Sequence, residues 1–265
     1  MVKKILARSF IIIMLFLMYL PILFLMVLSF TESKAFGVWT GFSFNLYVEL
    51  FQNEAILQAV GNTVIIGLGA ALIATIIGTI SAVGIYSMKK VPKTLVNGVN
   101  QITILNADIV TASALLLLTA TLSIPQGYGT LLLAHIVICT PYVVLSVMPK
   151  LSSLDPNLYE AALDLGATPT KALFKVMIPQ LIPGMITGFV LALTLSMDDF
   201  IISNYTNGGV ETISTFVYKD AARAGLTPSL RALSTIIFLV VLTVLLTINI
   251  YTNKKFRKSD REEVE

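Results

Sequence analysis

Residues 159–179 have the sequence YEAALDLGATPTKALFKVMIP, which is polar and helix-prone in an otherwise apolar chain. A helix is predicted to begin just before this stretch, because Asp155 is a good N-cap and Pro156 suits the first helical position. Gly166 is predicted to end that helix in a left-handed turn, since glycine adopts positive φ without a steric penalty. We call residues 150–180 the polar loop.

A second helix start follows directly in the polar loop. Thr168 and Pro169 repeat the cap-and-proline signal, and Pro179 is predicted to limit this second short helix. Two brief helices joined by a glycine turn form a rigid, projecting shape. We expect such a shape to be a contact point for another protein, since a loop in contact with lipid alone has no need of it.

The composition is that of a membrane protein. Of the 265 residues, 56% are hydrophobic and 12% are charged, and the mean hydropathy is +0.86. Soluble domains carry about 25% charged residues. The net charge of +3 is too small to indicate nucleic-acid binding. The single cysteine, Cys139, excludes an intramolecular disulfide.

Six apolar runs are long enough to cross a bilayer, which needs about 20 mainly apolar residues per helix. The first run is too long for a signal-peptide core and lacks a clear cleavage site, so a retained anchor is predicted. The fold class is therefore an all-α, polytopic membrane protein. Its predicted spans are residues 9–30, 60–87, 100–122, 129–149, 181–204 and 232–252.

The basic residues predict the orientation of these spans. They cluster before span one, between spans two and three, and after span six, which all lie on one side of a six-span chain. Lys and Arg are enriched in cytoplasmic loops, so both termini and the polar loop are predicted to be cytoplasmic. The clusters are Lys3, Lys4 and Arg8; Lys89, Lys90 and Lys93; and Lys254, Lys255, Arg257 and Lys258.

Small residues recur at four-residue steps along span two, at Ala70, Ala74, Gly78 and Ala82. Such a stripe allows close helix packing, either within the chain or against a second subunit. His135 is the only histidine, and a lone histidine has no partner for a metal site. A hydrogen-bonded packing role is therefore predicted for it.

Three aspartates lie inside predicted spans. Asp108 lies about ten residues into span three, near mid-membrane, and Asp198 and Asp199 lie about fifteen residues into span five. An aspartate at a helix centre costs about 2.5–3.5 kcal/mol on insertion scales, so it usually faces a cavity or a partner. No Lys or Arg lies in these regions, which favours a cationic passenger. The alternative is that one of them caps or pins a broken helix, above all Asp199.

The polar loop resembles the cytoplasmic loop of ABC-importer permeases known for its Glu-Ala-Ala signature. In that pattern Glu-Ala-Ala is followed after three residues by Gly and, further on, by Ile, any residue, Leu and Pro. Val176 and Ile178 stand in place of the usual Ile and Leu. The residues in register, to which the resemblance assigns coupling to an ATPase, are Glu160, Ala161, Ala162, Gly166 and Pro179.

The resemblance extends to the spermidine/putrescine branch of these permeases. The stretch Thr194-Leu195-Ser196-Met197-Asp198-Asp199 is similar to that branch, and so is Asp108-Ile109-Val110. A proline commonly precedes the acid that corresponds to Asp108, whereas this chain has Ala107. That departure puts the local helix break in question more than the charge.

The resemblance implies the fold and the partners of the chain. It implies a single transmembrane domain over residues 1–265, with the methionine-permease-like fold of type I ABC importers, in a bacterial cell membrane. The partners would be membrane lipid, a second permease subunit in a heterodimer, two copies of a cytoplasmic ATPase and an extracytoplasmic polyamine-binding protein. No glycine is followed by lysine, so this chain has no Walker A loop. ATP and Mg²⁺ would be bound by the ATPase, and this chain would be neither an enzyme nor a cofactor carrier.

The predicted passenger path contains Asp108, Asp198, Asp199 and Tyr205. The carboxylates would balance ammonium groups, and Tyr205 or Phe200 would add cation–π contacts. The binding protein would dock on residues 31–57 and 205–230.

Other functions remain open at this stage. The same scaffold serves permeases for ferric iron and other solutes. A secondary carrier could use Asp108 and Asp198 as proton- or sodium-coupling acids. A scaffold protein would explain the polar loop without the buried acids.

Overall fold

The computed structural model describes residues 2–35, 37–155, 157–223, 225–243 and 246–247. These residues are mainly helical, in agreement with the predicted all-α class. The helices are α1 (Val2–Leu28), α2 (Asn45–Gln52), α3 (Glu54–Tyr86), α4 (Lys90–Leu105), α5 (Asp108–Thr121), α6 (Tyr128–Ser152), α7 (Asn157–Asp164), α8 (Pro169–Ala172), α9 (Ile178–Asp198), α10 (Ile201–Thr206), α11 (Ile213–Arg223) and α12 (Leu230–Thr243).

Within the described residues, four helices are long and apolar enough to cross a membrane. They are Arg8–Leu28, Glu54–Tyr86, Tyr128–Ser152 and Pro169–Asp198. These ranges correspond to predicted spans one, two, four and five. The helices begin earlier or end later than the hydropathy alone indicated, because their polar ends continue the same backbone hydrogen bonding.

Predicted span three is not one straight helix. The chain forms α4 and α5, which meet at an angle of 103°. Asn106 and Ala107 separate them in extended conformation, with ψ angles of 142° and 134°. Together the two helices are long and apolar enough to form one broken span, which raises the number of candidate spans among the described residues to five. The break forms although no proline precedes Asp108.

The last two predicted spans also differ from the structure. Span five was predicted to run to residue 204, but α9 ends at Asp198 and α10 begins after a break. For span six, α12 covers Leu230–Thr243, which is shorter than a full span. Of the rest of predicted span six, residues 246–247 are described as helical, and residues 244–245 and 248–252 and the basic cluster from Lys254 to Lys258 lie outside the described residues.

The chain divides into two compact units, of which one comprises residues 58–218. In its core, α3 and α9 both pack against α6 through glycines. A Cβ on Gly78 would lie 2.7 Å from Val143, and one on Gly188 would lie 3.2 Å from the same side chain. Ala74 and Ala82 of the small-residue stripe are fully buried. The predicted packing role of this stripe is confirmed, and its partner is a helix of the same chain.

The other unit comprises residues 1–57 and 219–265. Among its described residues, the loop after α1 is held by specific hydrogen bonds. The Arg231 guanidinium donates to the carbonyl oxygens of Ser33 and Lys34, at 3.4 and 2.8 Å. The hydroxyls of Ser29 and Tyr47 lie 2.8 Å apart. Within this unit, α12 is thereby tied to the chain that leaves α1.

Candidate functional site

The polar loop begins with the predicted cap. Asp155 Oδ1 accepts a hydrogen bond from the backbone N–H of Asn157 at 2.9 Å, which satisfies one of the unpaired donors at the start of α7. The prediction that Pro156 is the first helical residue concerns a position outside the described residues. The described part of the helix is Asn157–Asp164.

Gly166 ends α7 as predicted. Its φ angle is +84°. The N–H of Gly166 donates to Leu163 O at 2.8 Å, and the N–H of Ala167 donates to Ala162 O at 3.0 Å. This pair of bonds is the Schellman motif, in which a residue with positive φ closes the last helical turn. The predicted left-handed turn is therefore confirmed.

The second helix of the polar loop begins as predicted but does not end at Pro179. Thr168 Oγ1 accepts a hydrogen bond from the N–H of Lys171 at 3.4 Å, with Pro169 in the first turn. The helix then runs without a break from Pro169 to Asp198. The prediction that Pro179 limits a short helix was wrong.

A π-helical turn at Leu173–Met177 lies directly before Pro179. In a regular α-helix, a proline lacks the N–H that bonds to residue i−4, and its ring clashes with that carbonyl. Here the N–H of Ile178 donates five residues back, to Leu173 O. The hydrogen-bond pattern is thus already shifted by one residue just before Pro179, and α9 continues past it.

The Glu-Ala-Ala residues present a mixed face. Glu160 and Ala161 are exposed, whereas Ala162 is buried against the rest of the loop. Two large apolar side chains project beside them, with Leu165 89% exposed and Phe174 63% exposed. The loop therefore offers apolar side chains together with the Glu160 carboxylate on its surface, which is a composition suited to a protein interface.

The polar loop lies at the same end of its unit as a basic segment. A cleft of about 400 Å³ is lined by residues from the end of α3, including Tyr86, and by loop residues that include Glu160. Lys93 Nζ lies 4.7 Å from the centre of the Tyr86 ring. The basic start of α4 thus lies near the polar loop. The Lys/Arg pattern predicted that these two segments lie on the same side of the membrane.

The three predicted pathway acids line one cleft. This acidic cleft has a volume of about 420 Å³. None of the described residues that line it is Lys or Arg. Its lining is Asp108, Ile138, Tyr142, Thr194, Leu195, Asp198, Asp199, Phe200 and Ile201. Residues separated by ninety positions in sequence are brought together because α5, α6 and α9 surround the same space.

Asp108 has a different position from the one predicted. It was expected about ten residues inside a continuous helix, but it is the first residue of α5, directly after the 103° bend. A carboxylate at a helix N-terminus is stabilised by the unpaired N–H groups and the helix dipole. Its side chain is exposed, so the bend places a stabilised acid at the edge of the cleft.

Asp198 and Asp199 have different surroundings. Asp198 is the last residue of α9 and is exposed. Asp199 is only 8% exposed in its side chain, and its two carboxylate oxygens accept the N–H groups of Ile202 and Ser203 at 3.2 and 2.7 Å. Asp199 therefore caps α10, which is the structural alternative that the sequence left open.

The aromatic residues also differ in position. Tyr205 packs against the buried cluster that includes Ala112 and Ile202 and does not line the acidic cleft. Phe200 does line it, and its ring centre lies 4.6 Å from that of Tyr218. We therefore leave Tyr205 out of the candidate site. Two further lining residues carry hydroxyl groups, Tyr142 and Thr194, and neither was among the predicted pathway residues.

His135 has the hydrogen-bonded role predicted for it. It is fully buried, with Nδ1 2.6 Å from Ser196 Oγ and Nε2 3.0 Å from Ser203 Oγ. Its Nε2 is 3.8 Å from Asp199 Oδ2. The identity of its partners could not be predicted, because they come from α9 and α10. Within the described residues, no group of three potential metal ligands is found.

Comparison with known proteins agrees with this architecture. Residues 74–257 match the family described as binding-protein-dependent transport system inner membrane component. The chain is 34% identical over 237 residues to the spermidine/putrescine transport system permease protein PotC of Haemophilus influenzae, which covers 89% of this chain and 92% of that protein. It is 37% identical over 230 residues to the putrescine transport system permease protein PotI of Escherichia coli, with coverages of 83% and 81%.

Solved structures show the same fold at low identity. A bacterial ABC transporter involved in the import of alginate matches with a TM-score of 0.72 and 14% identity, over 95% of this chain and 96% of that one. The methionine ABC transporter MetNI matches with a TM-score of 0.53 and 15% identity, over 77% and 97%. The predicted resemblance to the membrane subunits of ABC importers is confirmed at the level of the fold.

Proposed function

The chain belongs to the binding-protein-dependent transport system inner membrane components, and from that membership we propose that it forms part of the path for polyamines in an ATP-driven importer. Spermidine or putrescine would cross the membrane through the acidic cleft. The relatives named above are spermidine/putrescine and putrescine permeases, which supports this substrate class. Residues 1–265 would act as one transmembrane permease domain.

The acidic cleft carries the proposal. Asp108 and Asp198 are exposed at its lining, and no described lining residue supplies a positive charge. A polyamine brings several ammonium groups, so two carboxylates on different helices can hold it at two points. One charge pair at about 4 Å is worth roughly 1–4 kcal/mol between water and an effective dielectric of 20. That strength permits both capture and release.

The polar loop would couple this path to ATP hydrolysis. Glu160 has no ion-pair partner among the described residues and is free to meet a basic group on an ATPase. The exposed Leu165 and Phe174 would fill an apolar recess on the same partner. The Schellman turn at Gly166 would keep α7 and α8 in a fixed relation, so that movement of the ATPase displaces α9.

The remaining partners follow from the importer architecture. A second permease subunit would complete the path as a heterodimer, two ATPase copies would bind ATP and Mg²⁺, and a polyamine-binding protein would deliver the substrate from outside. This chain itself would hold no cofactor. The polar loop and both termini would face the cytoplasm.

The substrate and the energy source can be tested together. The complete importer is reconstituted in proteoliposomes with its binding protein. It should accumulate labelled spermidine or putrescine only when ATP is present on the side of the membrane where the ATPase lies. A protonophore should leave this uptake unchanged, which separates the proposal from a secondary carrier.

The same preparation distinguishes the related permeases. Uptake of ferric iron without uptake of polyamine would overturn the substrate assignment while preserving the importer class. Polyamine uptake that persists without ATP and stops with the protonophore would overturn the ATP-driven mechanism.

A further inference from the structure

The space behind the acidic cleft is occupied by a buried polar cluster. It consists of His135 on α6, Ser196 on α9, Asp199 at the break and Ser203 on α10. His135 and Ser203 are fully buried, and Ser196 is 4% exposed. Buried polar groups are nearly always hydrogen-bonded, and the bonds of this cluster join residues on different helices, so each one constrains the position of a helix.

The hydrogen bonds of the cluster join three helices at one point. The two ring nitrogens of His135 bond to hydroxyls on opposite sides of the break, at 2.6 Å to Ser196 and 3.0 Å to Ser203. The Ser203 hydroxyl also donates to Asp199 O at 3.3 Å. The imidazole therefore holds the end of α9 and the start of α10 at fixed positions relative to α6.

Asp199 completes this arrangement from the other side. Both of its carboxylate oxygens accept backbone N–H groups of α10, and its own backbone is extended, with φ −64° and ψ 128°. These bonds determine where α9 stops. Asp198 precedes Asp199 directly, so the orientation of the exposed Asp198 carboxylate depends on the same bonds.

We propose that His135, Ser196, Asp199 and Ser203 form a clamp that sets the position of the Asp198 carboxylate in the acidic cleft. Asp199 is then a positioning residue, and Asp198 is the residue that meets the cation. This assignment separates the roles of two adjacent acids. It rests on the proposed function for the nature of the cation, but the geometry that it describes does not depend on transport.

The position of residue 198 can be measured directly by thiol modification. Asp198→Cys is placed in a Cys139→Ala background, within membrane vesicles that contain the complete importer, and its rate of reaction with a cationic methanethiosulfonate is recorded. Ser203→Ala and Ser196→Ala each remove one His135 hydrogen bond. Each should change that rate by about fivefold, the factor typical of a single lost hydrogen bond.

Ser146→Ala is the matched control, because the Ser146 hydroxyl bonds only within its own helix, to Tyr142 O at 3.0 Å. It should change the rate by less than about twofold, since no hydrogen bond between helices is lost. Equal rates in the clamp variants and the control would overturn the clamp. The rate of thiol modification is measured without polyamine. It therefore tests the clamp even if polyamines prove not to be the substrate.

Polyamine uptake then tests whether the clamp acts through Asp198. Asp199→Asn should lower uptake by about fivefold when Asp198 is present and by less than about twofold in an Asp198→Asn background, because interacting sites are non-additive. A general packing defect predicts the same loss in both backgrounds, and that result would contradict the clamp. Unchanged uptake in Asp198→Asn alone would instead contradict the proposed function.

Discussion

Gly166 has the strictest backbone requirement in the polar loop. Its φ of +84° is unfavourable for residues with a Cβ, although a Cβ at this position would have no heavy atom within 4 Å. The penalty of a substitution is therefore backbone strain alone, about 1–2 kcal/mol and more for a β-branched residue. A change of this size alters the angle between α7 and α8 before it unfolds the protein.

From this we expect Gly166→Val to lower polyamine uptake and substrate-stimulated ATP hydrolysis together, with a normal amount of permease in the membrane. Gly166→Asn is the control, since asparagine tolerates the left-handed region. Both activities would be measured in the same vesicles and normalised to the amount of permease. Wild-type activities in the valine variant would show that the turn is not needed for coupling.

Adjacent acids show what can and cannot be inferred from single residues. Asp198 and Asp199 differ little in sequence terms, and a structural role for Asp199 was left as an alternative. The structure separates them because α9 ends between them, so that one carboxylate is exposed and the other caps α10. The sequence could not decide between the cap and the pathway role, because the N–H groups that donate to Asp199 belong to residues after a break that the hydropathy pattern does not show.

At the scale of helices, the contact between α3 and α6 depends on a missing side chain. A Cβ on Gly78 would lie 2.7 Å from Cβ of Val143, closer than real Cβ atoms approach, and Val143 Cβ cannot rotate away. Gly84 lies on the same helix with nothing within 4 Å of its Cβ position. The two glycines therefore form a matched pair for a stability experiment.

Gly78→Ala should lower the thermal unfolding midpoint of the detergent-solubilised importer, because overpacking a close contact costs about 1–3 kcal/mol. Gly84→Ala should leave the midpoint unchanged or raise it slightly, since alanine favours the helix. Fluorescence-detected gel filtration after heating would give both values. Equal midpoints would contradict the close packing of α3 on α6.

Local signals predicted part of the helix pattern, and tertiary contacts determined the rest. The glycine turn at 166 and the cap at Thr168 follow from residue type and spacing. The bend before Asp108 does not, because Asn106 and Ala107 are no strong helix breakers. The helix through Pro179 follows a π-helical turn, which no sequence rule at this position predicts.

At the scale of the molecule, the orientation of the unit formed by residues 58–218 remains a prediction. Two positions of this unit serve to test its orientation. The polar loop lies beside the end of α3. Gln126 lies in a different connecting segment, where its backbone is close to Gly208. Asp164 and Gln126 are both exposed and can carry reporter cysteines.

In intact cells with a Cys139→Ala background, Gln126→Cys should react with a membrane-impermeant maleimide, and Asp164→Cys should not. Asp164→Cys should become reactive after the cells are permeabilised, which controls for burial of the thiol. These outcomes follow from the positive-inside rule. Labelling of Asp164→Cys from outside would reverse the topology and remove the polar loop from the reach of a cytoplasmic ATPase.

Passage of the cation through the acidic cleft is tested by ATP-driven spermidine uptake by an Asp108→Asn, Asp198→Asn variant of the reconstituted importer. Asparagine keeps the volume and removes the charge, and each charge is worth roughly 1–4 kcal/mol to the passing cation. We expect uptake to fall by about tenfold or more, with unchanged assembly with the ATPase and partial retention of uptake in an Asp108→Glu, Asp198→Glu variant. Spermidine uptake at the wild-type rate in the asparagine double variant would rule out the acidic cleft as the path of the cation.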